Sequence, residues 1–198
     1  MISIVYDVNI YRKFLNETIS ENDVVIEIGP HTGASTKMYA DRAALVVAVD
    51  KSQEAQDEFE KLSRVHENIK FIRCDARTLK ALDSVVAFFN EKGYTGCDVL
   101  AVDMGGGRYP DTVFKVWSLW AGVFKPGDSI IRNRGLAEFV QRAEIRDDSI
   151  IKKFDDDGWL YDWGRDLPSQ LKDKFKEQFD EFKLWLDKNA LRYKKVDD

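Results

Sequence analysis

The sequence has few of the residues that hold disulfide-rich or zinc-binding domains together. Its 198 residues include two cysteines, Cys74 and Cys97, and two histidines, His31 and His66. Two cysteines are too few for a disulfide scaffold. The histidines lie far apart in sequence, and no Cys/His cluster with zinc-ligand spacing exists. We therefore expect neither a disulfide framework nor a zinc site.

The sequence also lacks long apolar runs. None approaches the roughly 20 consecutive apolar residues that span a bilayer, and the first residues show no basic start followed by a long apolar core, as a secretory signal would. The net charge is -5, which gives the chain no overall attraction to nucleic acid or to an anionic membrane. Repeats, low-complexity runs and linkers are absent. We expect a soluble, cytoplasmic, single-domain protein with no membrane partner.

The stretch VVIEIGPHTGAST, residues 24–36, organises the rest of the chain. It begins as an apolar, β-branched run, which is typical of a strand buried on both faces of a parallel sheet. The run stops at Gly29, Gly33 follows, and from about Ala34 the residues suit a helix. This pattern predicts a strand, a glycine-rich turn that a ligand can approach, and a helix with free N–H groups at its start. Glu27 is costly to bury unless a donor satisfies it, and a cationic or hydrogen-bonding ligand would do so.

Three further strand-like runs end in an acidic residue: Asp50, Asp75 and Asp103. Asp50 lies about 20 residues beyond the glycine turn, where a carboxylate can accept both hydroxyls of a ribose. Three consecutive glycines, Gly105–Gly107, follow Asp103 closely and indicate a loop that something must approach. Asp50 and Asp75 could instead cap the helices that follow them, so both interpretations stay open at these positions.

The spacing Glu27-Ile28-Gly29-x-x-x-Gly33-x-x-Thr36 resembles the first motif of the class I, Rossmann-like methyltransferases that use S-adenosylmethionine (SAM). A dinucleotide site would have Gly-x-Gly-x-x-Gly, but position 31 is His. The resemblance covers residues 24–131 well and the remainder poorly. It implies an α/β fold with a seven-stranded, mostly parallel sheet in the order 3-2-1-4-5-7-6 and helices on both faces. It also implies an antiparallel hairpin near the C-terminus.

The resemblance implies a role for each position that matches a family motif. Asp50 would bind the ribose of SAM, Asp75 the adenine amine, and Asp103 would lie beside the sulfonium. The predicted cofactor-binding residues are Glu27, Gly29, His31, Gly33, Asp50, Lys51, Asp75, Ala76 and Asp103. The predicted substrate-binding residues are Gly105, Gly106, Arg108, Tyr109, Arg132 and Arg134. Arg132 and Arg134 begin a basic stretch that could contact a phosphate or another anion of the acceptor, or could form a solvated face balanced by nearby acids.

The implied activity is direct transfer of a methyl group from SAM to an undetermined acceptor, which could be RNA, protein or a small molecule. A general base is needed only if the attacking atom carries a proton. Asp103 is the first candidate base, and His31 and Tyr109 are weaker ones. The alternatives are an aminopropyltransferase-like enzyme and a non-catalytic SAM- or nucleotide-binding protein. No metal is expected, because Arg132-Asn133 stands where magnesium-dependent relatives have an Asp-Asn pair.

The expected single domain has three parts. Residues 1–22 form a helical cover, residues 24–131 the cofactor-binding core, and residues 132–198 a substrate-side hairpin and a long amphipathic C-terminal helix. That helix could pack on the domain, form a homodimer face or cover the acceptor. In the implied strand order, Cys74 and Cys97 lie on strands separated by two others, so we expect both thiols to be free.

Overall fold

The computed structural model describes residues 1–105 and 108–147, in which strands and helices alternate. The strands are β1 (Ile2–Val5), β2 (Val24–Ile28), β3 (Leu45–Asp50), β4 (Ile69–Arg73), β5 (Val99–Asp103) and β6 (Asp128–Arg132). The helices are α1 (Val8–Thr18), α2 (Gln53–Leu62), α3 (Leu79–Lys92), α4 (Pro110–Phe124) and α5 (Arg134–Arg142). None of the helices in these two ranges has both the length and the apolarity to cross a bilayer.

All six strands form one sheet in the order β1-β6-β5-β2-β3-β4, and every neighbouring pair is parallel. For β2 to β6 this is the predicted order 3-2-1-4-5, which is therefore confirmed. The chain runs outward from β2 to β4 and then returns to β5 on the other side of β2. The connections that leave β2 and β5 consequently diverge, and such a switch point opens a crevice at the carboxyl ends of the strands.

The number of strands differs from the prediction, since the described residues form six strands rather than seven. The additional strand β1 pairs in parallel with β6, from Ile2 beside Ser129 to Val5 beside Arg132. It occupies the place beside β6 that the predicted order gives to an antiparallel C-terminal strand. The prediction of only a helix before residue 22 missed β1 because this strand is short and lies half exposed at the sheet edge. The predicted hairpin and C-terminal helix fall in residues 148–198, outside the described residues.

Helices cover both faces of the sheet, as predicted. α3 and α4 pack on one face, and α1, α2 and the turn after β2 pack on the other. Side chains alternate along a strand, so Ile26 and Ile28 face the first layer and Val25 the second. Glu27 shares the face of Val25, and its carboxylate is therefore directed toward α1 and the turn.

The segment after the glycine turn differs from the predicted helix. It contains a single 3-10 turn, Thr36–Met38. The hydroxyls of Ser35, Thr36 and Tyr39 all donate to the carboxylate of Glu27, which ties this segment to β2. Side-chain hydroxyls that bond elsewhere compete with a helix, and the chain must then reach β3 within a few residues. The predicted helix N-terminus beside the glycine turn is therefore wrong.

Candidate active site

A cavity of about 760 Å³ lies at the carboxyl ends of the central strands. This volume is within the range of roughly 300–1,000 Å³ typical of small-molecule sites. The predicted site residues that line it are Gly29, His31, Asp50, Lys51, Asp75, Ala76, Asp103, Gly105, Tyr109 and Arg132. The cavity therefore collects residues that follow five different strands at the switch point of the sheet.

Asp50 is held by two backbone donors that leave part of its carboxylate available. Its Oδ1 accepts from the N–H of Ser52 at 2.8 Å, and its Oδ2 accepts from the N–H of His31 at 3.2 Å. An ionised carboxylate has about four acceptor positions, so each oxygen of Asp50, which lines the cavity, retains one. The cap of α2 is Ser52, whose Oγ accepts from the N–H of Ala55 at 3.1 Å. Asp50 is thus an oriented acceptor of the cavity rather than the cap of α2.

Glu27 does not reach the cavity, contrary to the predicted cofactor contact. Its side chain is 1% exposed, and its carboxylate accepts from the hydroxyls of Ser35, Thr36 and Tyr39 at 2.5, 2.5 and 2.6 Å. Burial raises the pKa of Glu27, and the three hydroxyls oppose that rise. The donor that a buried carboxylate requires is therefore supplied by the chain itself, and Glu27 stabilises the turn after β2.

The two motif glycines serve different purposes. Gly29 lines the cavity with a φ of +75°, and a Cβ there would lie 2.1 Å from the carbonyl oxygen of Asp103. Gly33 has a φ of +71° but does not line the cavity, because it packs against α2, where a Cβ would lie 2.7 Å from Leu62 Cδ1. The predicted cofactor contact of Gly33 is corrected accordingly. Its small size is needed for packing against α2.

Asp103 and Arg132 form an ion pair on the floor of the cavity. They are register partners on β5 and β6, and Nη1 of Arg132 donates to Oδ1 and Oδ2 of Asp103 at 2.9 and 3.0 Å. Nε of Arg132 donates to the carbonyl oxygen of Tyr6 at 3.2 Å. Burial raises the pKa of Asp103, and the charge and hydrogen bonds of Arg132 oppose the rise. The cavity floor therefore presents an anionic and a cationic group side by side.

Asp75 is paired with an arginine that the sequence interpretation missed. Arg77 donates to it from Nε at 2.9 Å, from Nη2 at 2.5 Å and from its backbone N–H at 3.1 Å. Burial alone would raise the pKa of Asp75, but the hydrogen bonds and charge of Arg77 together lower it. An Asp-x-Arg spacing after a strand could have indicated this pair. The carbonyl oxygen of Ala76 accepts from Nε1 of Trp120 at 2.9 Å, which leaves the backbone N–H of Ala76 as the freer recognition group in this part of the cavity.

Of the predicted substrate residues, Gly105, Tyr109 and Arg132 line the cavity. Arg108 and Arg134 lie outside the cavity lining, and Gly106 falls outside the described residues. Lining residues that the sequence analysis did not select include Cys74, Arg77, Met104, Asp111 and Thr112. Cys74, Arg77 and Met104 lie within two residues of a predicted acid, so proximity to a strand end was the available signal for them. Both cysteines are free, as predicted.

The part of the chain that the structure describes contains no cluster of side chains that could bind a metal ion. Within residues 1–105 and 108–147, no group of three or more His, Cys, Asp or Glu side chains could hold an ion. Beside Asp103, the position that a cation would take holds the guanidinium of Arg132.

No protein-family model and no curated protein matches the sequence. Solved structures similar to it include the 23S rRNA methyltransferase ErmE, at 16% identity and a TM-score of 0.41, covering 62% of this chain and 43% of that chain. An rRNA methylase from Streptococcus thermophilus is 19% identical, with a TM-score of 0.49 and coverages of 69% and 80%. A putative methyltransferase from Streptococcus mutans, in complex with SAH, is 15% identical, with a TM-score of 0.47 and coverages of 69% and 82%.

The chain resembles class I methyltransferases in fold. It spans less than half of the length of ErmE and about four fifths of the other two proteins. At these identities and TM-scores the likeness concerns the fold alone and assigns no activity.

Proposed function

We propose that this protein is a SAM-dependent methyltransferase that transfers a methyl group to a nucleophilic acceptor. The observation that carries the proposal is the convergence of Gly29, Asp50 and Asp103, from three neighbouring strands, on one cavity at the switch point. The carboxylates suit the hydroxyls and the positive charge of SAM, and the glycine lets a ligand approach the main chain.

The orientation of SAM follows from the two ends of the cavity. The ribose hydroxyls would bind the two open acceptor positions of Asp50, and the adenine would lie near the backbone of Ala76 and the side chain of Val49. The amino-acid end of SAM carries an ammonium and a carboxylate, which match the adjacent Asp103 and Arg132. Arg132 also favours SAM over decarboxylated SAM, which lacks the carboxylate, and so disfavours an aminopropyltransferase.

The protein's part in the reaction would be to align the two reactants and to exclude water. SAM supplies an activated methyl group, so little covalent chemistry falls to the protein. Asp103 lies where it can orient the acceptor, and it can take a proton if the acceptor carries one. Arg132 holds the Asp103 carboxylate in place through two hydrogen bonds. Burial raises the pKa of Asp103, which makes it a better proton acceptor than an exposed aspartate.

Calorimetry with SAM, S-adenosylhomocysteine (SAH) and NAD tests the cofactor. We expect SAM and SAH to bind and NAD not to bind. Asp50→Asn should weaken SAH binding roughly tenfold to a hundredfold, because hydrogen bonds to a charged acceptor are lost. Asp57→Asn is the matched control, since Asp57 is exposed and, among the described residues, its side chain bonds only Gln53 of its own helix, at 2.7 Å. Preferential binding of NAD, or equal effects of the two variants, would contradict the proposal.

A radiolabelled methyl screen over RNA, protein and metabolite pools then tests catalysis. Incorporation into one pool identifies the class of acceptor. SAH binding without any incorporation would favour the remaining alternative, a non-catalytic SAM-binding protein. Asp103→Asn is the variant to include here, because the amide oxygen can still accept from Arg132 while the capacity to take a proton is lost.

A further inference from the structure

The mouth of the cavity beyond Asp103 is built by three chain segments, which follow β1, β5 and β6. We call five residues there the rim: Tyr6, Arg108, Tyr109, Arg132 and Arg134. Arg132 bonds the carbonyl of Tyr6, and the guanidinium of Arg134 lies 5.9 Å from the centroid of the Tyr6 ring. Tyr109 and Arg132 also line the cavity. The rim therefore adjoins the cavity through Tyr109 and Arg132.

A buried asparagine holds the rim together. Asn133 is 0% exposed, its Nδ2 donates to the carbonyl oxygen of Arg108 at 3.0 Å, and its Oδ1 accepts from the N–H of Leu136 at 2.9 Å. A Cβ on Gly135 would lie 2.9 Å from Cγ of Pro110, so the first turns of α5 and α4 are in close contact. The backbones that carry Arg108 and Arg134 are thus held at a defined separation.

The rim carries positive charge that nearby carboxylates do not neutralise. Arg108 and Arg134 are exposed and form no ion pair with a carboxylate of the described residues, whereas Arg142 and Arg146 are paired with glutamates at 2.9 Å. Arg132 is neutralised by Asp103. Because the whole chain has a net charge of -5, two uncompensated arginines beside the cavity mark a place for an anion.

Tyr109 is held in a strained conformation with its ring exposed. Its φ is +55°, in the left-handed region, and its side chain is 66% exposed. This conformation costs a non-glycine residue about 1–2 kcal/mol, and strain of this kind clusters at functional sites. Tyr6 is also exposed, at 59%. Exposed aromatic rings beside arginines suit the stacking of a planar base next to a bound phosphate.

We propose that the rim binds a phosphate-bearing nucleotide unit of the methyl acceptor, with the base on Tyr109 and the phosphates on Arg108 and Arg134. This inference rests on the proposed function, because SAM bound with its ribose on Asp50 and its amino-acid end on Asp103 and Arg132 leaves Arg108, Tyr109 and Arg134 for the acceptor. The nucleotide unit can come from single-stranded RNA or from a free mononucleotide, and both present the same chemistry to the rim.

The test uses the full chain saturated with SAH, so that a nucleotide cannot bind in place of the cofactor. The probes are a labelled ten-nucleotide oligouridylate, uridine monophosphate and polyglutamate. The double variant Arg108→Gln/Arg134→Gln is compared with Arg142→Gln/Arg146→Gln, which removes the same charge from paired arginines elsewhere. Tyr109→Ala tests the stacking. Anisotropy titrations at several salt concentrations give the affinity and its salt dependence.

Each phosphate contact contributes about 0.7 to the slope of log affinity against log salt for single strands. In the rim double variant, the slope of log affinity against log salt should therefore become shallower by about 1.4, and the affinity at 0.1 M salt should fall about 25-fold. The control double variant should change little in both quantities. Tyr109→Ala should weaken oligouridylate binding on the order of tenfold and leave polyglutamate binding unchanged. Tighter binding of oligouridylate than of the monophosphate assigns the nucleotide to RNA, and equal binding assigns it to a free nucleotide.

Equal losses of oligouridylate affinity in the two double variants would overturn the inference. It would also be overturned if polyglutamate bound as tightly as oligouridylate and Tyr109→Ala had no effect on either. The experiment distinguishes a failure of this inference from a failure of the proposed function. If SAH binds and the rim variants have no effect, only the inference about the acceptor is wrong. If the wild-type protein does not bind SAH, the proposed function is wrong, and the same titrations without SAH still report on the rim.

Discussion

Two buried tyrosines near Glu27 allow a matched test of what satisfies this carboxylate. Tyr39 donates to Glu27 at 2.6 Å, whereas the hydroxyl of Tyr11 has no hydrogen-bond partner among the described residues. Both side chains are at most 1% exposed. Tyr39→Phe removes one of three donors from a buried carboxylate, which costs about 1.5–3 kcal/mol. Tyr11→Phe removes a buried, unpaired hydroxyl, so it should be neutral or stabilise by up to about 1 kcal/mol.

Equilibrium unfolding in urea at neutral pH measures both effects. Each variant removes a single oxygen from a fully buried ring, so cavity and packing changes are comparable. We expect the free energy of unfolding to fall by about 2 kcal/mol for Tyr39→Phe and not to fall for Tyr11→Phe. Equal losses in the two variants would refute this account, because they would mean that Tyr11 also makes a hydrogen bond that stabilises the native state.

The pH dependence of the loss is a second check on the same pair. Burial raises the pKa of Glu27 in the native state, so the native protein holds this proton more tightly than the unfolded chain does. The contribution of this proton to the free energy of unfolding is fully present at pH values below the pKa of Glu27 in the unfolded chain, about 4.3. It is lost as pH rises through the pKa of Glu27 in the native state. Without the Tyr39 hydroxyl the native pKa should rise further, so Tyr39→Phe should lose more stability at neutral pH than at acid pH.

Gly29→Ala should destabilise by about 3 kcal/mol or more, since left-handed strain adds to a clash with the backbone of Asp103. Gly93→Ala, with a φ of +78° and no atom near its Cβ, should lose only about 1–2 kcal/mol; urea titrations that show equal losses would contradict the clash. Asp75 has a lowered pKa, so its stabilisation is present above about pH 4 and is lost as pH falls through its native pKa. Arg77→Gln should flatten this acid limb of the stability curve, and an unchanged limb would count against the pair. Asp103→Asn should lower turnover at least about a hundredfold while weakening SAM binding less than Asp50→Asn does, and unchanged turnover in a methyl-transfer assay would remove its catalytic role.

The central strands could be predicted because their signals are local. Runs such as Leu45–Asp50 are β-branched and buried on both faces, and an acid at the end of each run marks where a parallel strand leaves the core. Parallel strands bring their carboxyl ends to one edge, so residues distant in sequence, such as Asp50 and Asp103, could be expected at one cavity. Their order came from the family resemblance, and the structure confirms it for β2 to β6.

Other features could not be read locally because a partner from elsewhere in the chain determines them. The strand β1 is only four residues long, and its pairing depends on an edge of β6 that lies more than a hundred residues away. The pattern around Glu27 suited a ligand contact equally well until the hydroxyls of the next turn were located. Arg108 and Arg134 were predicted as substrate residues, but their spacing in the sequence did not show that Asn133 links the segments that carry them.

The sequence by itself determined the buried strands, the glycine turn and the acids that end the strands, because short-range patterns of burial and backbone freedom encode them. Tertiary structure alone decided which polar groups satisfy one another. It gave Glu27 its three hydroxyls and placed Arg132 against Asp103. A buried charge requires a partner, but sequence spacing does not say whether that partner is a ligand or another part of the same chain.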